Sequence, residues 1–111
     1  MNNSKLVMNQ DIVNLIKANP TCDKVVFITT DKQEFFPTKI DSDIKYYVEI
    51  VVNKEGNPLS SSELLSELEK DISERNDCMY LTVWVKEHDS RHLLVSSEIE
   101  GNTIKVFLDV C

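Results

Sequence analysis

The feature that most constrains this fold is a repeated order of periodicities. A short stretch with an apolar helical face runs into three β-rich stretches, and the same order then recurs. The first helical stretch carries Ile12, Val13, Leu15 and Ile16, with no Gly or Pro before Pro20. The second carries Leu64, Leu65, Leu68 and Ile72, spaced so that all four line one face of a helix. Each begins with a side chain able to accept a hydrogen bond from a first-turn amide, Asn9 in one case and Ser60 in the other. Ser60 and Glu63 have capping-box spacing, and Met8 on Val13 or Leu59 on Leu64 would staple the chain at the helix entry.

A polar break containing a cysteine follows each helix, Pro20 to Asp23 and Arg75 to Cys78, and leads into a β-branched and aromatic run. Val25 to Thr29 matches Leu81 to Val85. In the second run Met79, Leu81, Val83 and Val85 alternate with Tyr80, Thr82, Trp84 and Lys86, the period of a strand with one face on a core. Polar turns at 31–34 and 87–91 lead to return strands at Phe35 to Ile40 and His92 to Ser97. Pro37 has no N–H for a ladder, so the first return strand is an edge or a bulged strand. In the closing strands Val48, Ile50 and Val52 match Val106, Leu108 and Val110, and Gly101 supplies a positive φ in the turn before the last.

The expectation is an α+β domain of order α-β-β-β-α-β-β-β, two helices packed on an antiparallel sheet, with half-units 6–53 and 58–111 forming a pseudo-repeat. At 111 residues the chain is one domain by size. The polar seam Asn53 to Pro58 is too short for a flexible interdomain linker. Met1 to Ser4 is polar and lacks a leader pattern, no stretch approaches the ~20 apolar residues that span a bilayer, and three cysteines without a short-spaced pair suit a reducing compartment. The expected location is the cytoplasm, bacterial or host.

Nineteen acidic residues against twelve basic ones give a formal net charge of -7 and a pI near 4.7, with no Lys/Arg cluster to track phosphates. A field of that sign repels nucleic acid and favours basic partners. The acidic residues of the second half, Glu63, Glu67, Glu69, Asp71, Glu74 and Asp77, concentrate on and after the second helix, as a solvated face or as an electrostatic docking surface. His88 and His92 fall in a polar turn, where an i, i+4 pair does not converge as it would on a helix; with a third ligand they could bind zinc. Cys78 could approach either imidazole across a hairpin, yet nothing in its surroundings lowers a thiol pKa. Cys22 and Cys78 read as small buried apolar residues and Cys111 as an exposed one. Asp41, Ser42 and Asp43 resemble the start of a calcium loop but lack its Gly and closing Glu.

A capped helix followed by Pro20, Asp23, Val25 and Phe27 resembles the small uncharacterised phage and prophage proteins in which a short helix runs into a Pro/Asp loop and an apolar strand. Ser61 to Leu68 followed by Leu81 to Val85 resembles the same unit, with a longer loop and no proline. The resemblance implies a fold and a mobile-element setting and brings no catalytic residues. The leading expectation is therefore a small acidic protein-binding module, such as an inhibitor or immunity-type protein, that meets a basic partner through Glu67, Glu74, Asp77, Tyr80 and Trp84. No cofactor, no metal, no direct nucleic acid and no membrane are expected. Two other classes compete: an accessory enzyme using the His88 to His92 turn with a metal or a cysteine, and a subunit that self-associates, as a homodimer or beyond, through strand edges.

Overall fold

The structure is a computed structural model that describes residues 6–75 and 79–109. Helix α1 spans Asn9–Ala18 and is followed by β1 Lys24–Ile28, β2 Glu34–Asp41 and β3 Tyr47–Asn53. Helix α2, Ser61–Glu74, leads into β4 Tyr80–Val85, a single 3-10 turn at Lys86–His88, β5 Ser90–His92, β6 Leu94–Glu100 and β7 Thr103–Leu108. The expected order holds, with the second return strand broken into β5 and β6 at Leu93.

The α2 start is as the sequence predicts. Glu63 N–H donates to the Ser60 hydroxyl, and Ser60 N–H donates to the Glu63 carboxylate at 2.9 Å. The α1 start differs. Met8 occupies the cap position, and Asp11 turns its carboxylate back to accept the Val7 and Met8 amides. Asn9 is then the first helical residue and its side chain is buried, donating to Asp71 on α2.

The seven strands form one mixed sheet of order β5-β4-β3-β2-β1-β7-β6, which corrects the expected antiparallel sheet. β3 runs parallel to β4 and β1 runs parallel to β7; the other neighbours are antiparallel. The physical reason lies in the connection. Between β3 and β4 the chain passes through a whole helix, which returns it to the end of the sheet from which it started, as a crossover to a parallel neighbour requires.

The strands at the two ends of this order, β5 and β6, are consecutive in the chain with only Leu93 between them, so the sheet closes on itself. Two strands make the corners by changing partners along their length. β2 pairs with β1 at Glu34 and Phe35 and with β3 from Phe36 to Asp41, while residues 90–92 pair with β4 and 94–100 with β7. Each has a register shift just past its corner, at Pro37/Lys39 and at Leu94/Ser96, which supplies the bend. Pro37 thus sits at a bulge, as its missing N–H predicts.

The two half-units pair their strands in the same pattern, β1-β2-β3 against β4-β5/β6-β7, with the parallel joints between them. Register slides the sequence match by two residues, because Val48 lies beside Leu81 and Ile104 beside Val25. Val48, Ile50 and Val52 therefore correspond to Ile104, Val106 and Leu108. A slip of two keeps every side chain on its own face, which is why the sequence pattern could not detect it.

One core lies inside the closed sheet. Val25, Phe27 and Phe35 meet Val48, Ile50 and Val52, with Leu81, Val83 and Val85 from β4 and Ile104, Val106 and Leu108 from β7. Ile12, Val13 and Ile16 of α1 and Leu64 and Leu68 of α2 bury their apolar faces in the same cluster, with Leu65 and Ile72 at its margin. Cys22 is buried there too. Cys78 and Cys111, like Asp77 and Val110, lie outside the described residues.

Candidate functional site

The gap left where the sheet closes is filled by the segment before α1. Leu6 bridges Leu94 of β6, Met8 bridges Tyr80 of β4, and Leu81 N–H donates to the Val7 carbonyl at 2.8 Å. Beside this seam the surface sinks into a groove of about 490 Å³, walled mainly by Val7, Tyr47, Tyr80, Leu93 and Val95. Its apolar walls face solvent: Leu93 is 58% exposed, Tyr80 48% and Val7 43%, and Tyr46, 61% exposed, precedes Tyr47 at its rim. Exposed large apolar residues brought together in this way are the kind of surface that marks a contact with a protein, a membrane or an apolar ligand. The Tyr47 and Tyr80 rings lie 5.9 Å apart and tilted, one on each strand of the parallel β3/β4 pair.

A polar network between the helices reaches the groove at Tyr47. Asp71, whose side chain is 2% exposed, accepts from Asn9 Nδ2 at 3.0 Å and from Arg75 Nε at 2.7 Å. The same guanidinium donates through Nη1 to the Ile44 carbonyl and through Nη2 to the Tyr47 carbonyl, at 2.7 and 2.6 Å. Arg75 thus ties the end of α2 to the corner that presents Tyr46, which itself takes a positive φ of 68°. Tyr80 N–H donates to the Tyr46 carbonyl, completing the attachment of this corner to β4.

The described residues among those singled out from the sequence fall on different surfaces. Glu67 and Glu74 are exposed on α2, two turns apart on one face, with Lys70 between them. Three others of that acidic set are committed elsewhere. Glu63 caps the helix, Glu69 pairs with Lys17 of α1 at 2.8 Å, and Asp71 is buried. Asp77 lies outside the described residues. Tyr80 and Trp84 share the outer face of β4, but Tyr80 borders the seam groove whereas Trp84, half-buried, lines a second hollow over β2 to β5.

His88 and His92 face different neighbours. His88 meets Phe35 edge to face at 5.2 Å from the end of the 3-10 turn, while His92 on β5 bonds the Ser90 hydroxyl and the Asp109 carbonyl. Among the described residues no three His, Cys, Asp or Glu side chains gather as a metal site would require. No helix among them is long and apolar enough to cross a membrane.

Sequence reasoning passed over Glu49, Arg91, Leu93 and Val95. Glu49 stands at an outward position in an otherwise apolar strand and Arg91 within a polar turn, so neither carries a local signal. Leu93 and Val95 read as ordinary strand residues; their exposure follows from the corner at Leu93, a tertiary event. No family model, curated protein or solved structure matches the chain.

Proposed function

We propose that this protein is a small acidic protein-binding module of the cytoplasm, of the inhibitor or immunity type found on phage and bacterial mobile elements, and that it binds through the seam groove. The observation that supports the reading is the set of exposed apolar walls, Val7, Tyr80, Leu93 and Val95, beside a recess that no residue of the described chain covers. The occupant is a protein that inserts an apolar or aromatic anchor there and carries a basic rim, complementary to a net charge of -7. Tyrosines that keep one end wet supply contact area at low entropic cost and are typical of binding hot spots. Glu67 and Glu74 on α2 contribute the surrounding field more than direct contact, because exposed charges mainly steer encounter.

Affinity capture from the native host supplies the partner, and equilibrium binding to it tests the groove. Leu93→Ser and Tyr80→Ala should each weaken binding by about 2 kcal/mol or more, roughly thirtyfold, chiefly through faster dissociation. Glu67→Gln with Glu74→Gln should instead slow association and flatten its salt dependence. A partner of acidic surface, or full affinity in both groove variants, refutes the proposal.

A further inference from the structure

The second hollow lies further along the outer face of β4 from the seam groove and shares no lining residue with it. Its volume is about 500 Å³, within the range of small-molecule sites. Register places its residues in rows across the outer face. One row runs Lys39, Val51, Trp84, Arg91 across β2, β3, β4 and β5; the next runs Asp41 and Glu49 and continues to Thr82, which lines the seam groove instead. Lys86 and Asn53 close one end and Ile44 the other.

Glu49 is the unusual member. It is 4% exposed although it points away from the core, and it sits directly opposite Asp41 on an antiparallel pair, an arrangement of like charges that costs stability. Its carboxylate accepts from Thr82 Oγ1 at 3.0 Å and from Arg91 Nε at 2.6 Å. What this arrangement secures is the guanidinium, which is held 5.9 Å from the Trp84 ring centroid while its side chain remains half exposed to the hollow. The rotamer entropy of Arg91 is thus already spent before any ligand arrives. Among the described lining residues Lys39, Lys86 and Arg91 stand against Asp41 and Glu49, an excess of one positive charge on a molecule of net charge -7. Trp84, Val51 and Ile44 supply apolar walls.

We propose that this hollow is a binding site for a small organic anion with a planar ring, the ring against Trp84 and the carboxylate or phosphate among Lys39, Lys86 and Arg91. The excess of one positive charge calls for an anion, the indole calls for a flat apolar surface, and the volume matches a ligand of small-molecule size.

Trp84 is the sole tryptophan of the chain, so its indole N–H resonance reports on this site alone. The full chain is titrated with adenosine monophosphate and with benzoate, which separate a phosphate from a carboxylate, and with adenosine and inorganic phosphate, which carry the ring or the anion alone. At least one of the two ring-bearing anions should shift the resonance saturably, with adenosine and phosphate each about tenfold weaker or more. Lys39→Gln with Lys86→Gln spares the Glu49–Arg91 pair and the reporter; it should keep the melting temperature and weaken the anion about tenfold. Absence of a saturable shift with both ring-bearing anions, equal affinity for adenosine, or unchanged affinity in the double lysine variant overturns the proposal. Groove variants at Leu93 and Tyr80 should leave this titration untouched, so the outcome is independent of the protein-binding reading.

Discussion

Replacing Arg75 by alanine tests how the helices and the sheet corner are joined. The guanidinium makes three hydrogen bonds, to Asp71, to the Ile44 carbonyl and to the Tyr47 carbonyl, all between 2.6 and 2.7 Å. Hydrogen bonds to a charged group contribute about 1.5 kcal/mol or more each, and removing one member of a buried pair costs about 3 to 5 kcal/mol because the remaining charge is stranded. The two routes agree. Asp71 is 2% exposed and keeps only Asn9 of the two partners described above, so Arg75→Ala should cost about 3 to 5 kcal/mol, lowering the melting temperature by about 12 to 20 °C. Urea unfolding gives the free energy, and amide exchange at Tyr47 and Tyr80 reports whether the corner loosens first. In the Arg75→Ala background Asp71→Asn should be nearly neutral or stabilising, since it removes the stranded charge while retaining an acceptor for Asn9. The coupling between the two changes should reach about 1 to 3 kcal/mol. A cost below about 1 kcal/mol, or two costs that simply add, would show that the network does not join the helices to the corner.

Two further outcomes follow from the core and the helix cap. Leu68→Ala should lose about 2 to 5 kcal/mol in urea unfolding, and Leu65→Ala, at the margin of the same cluster, less than half of that; equal losses would mean that the α2 face is misoriented. The Ser60 amide and then the Ser60 hydroxyl hold the Glu63 carboxyl below the ordinary carboxylate range. A folded-state value below the unfolded one gives stability that is present above the unfolded value and is lost as pH falls through the depressed one. Glu63→Gln should therefore flatten the acid limb of stability against pH while preserving the cap at neutral pH, and an acid limb identical to that of the parent would remove Glu63 from the linkage.

The local elements were legible in the chain because their causes are local. The period of Leu64, Leu68 and Ile72, the reciprocal cap of Ser60 and Glu63, and the alternation of Leu81, Val83 and Val85 with Thr82 and Trp84 each act within a few residues. Pro37, lacking an N–H, limited its strand to an edge or a bulge, and the bulge is what forms. Asn9 misled: its side chain serves as well for a buried partner as for a helix cap, and Asp71, 62 residues away, competes successfully for it. The mixed sheet was equally out of reach, since period-2 alternation is the same in parallel and antiparallel strands. Only tertiary structure turned the chain at Leu93, joined the ends of the sheet, and brought Val7, Tyr47, Tyr80, Leu93 and Val95 to one groove. The pairing of Glu49 with Arg91 across 42 residues has the same origin. Binding surfaces of this kind are sums over strands distant in sequence, and what sums them is the closure of the sheet.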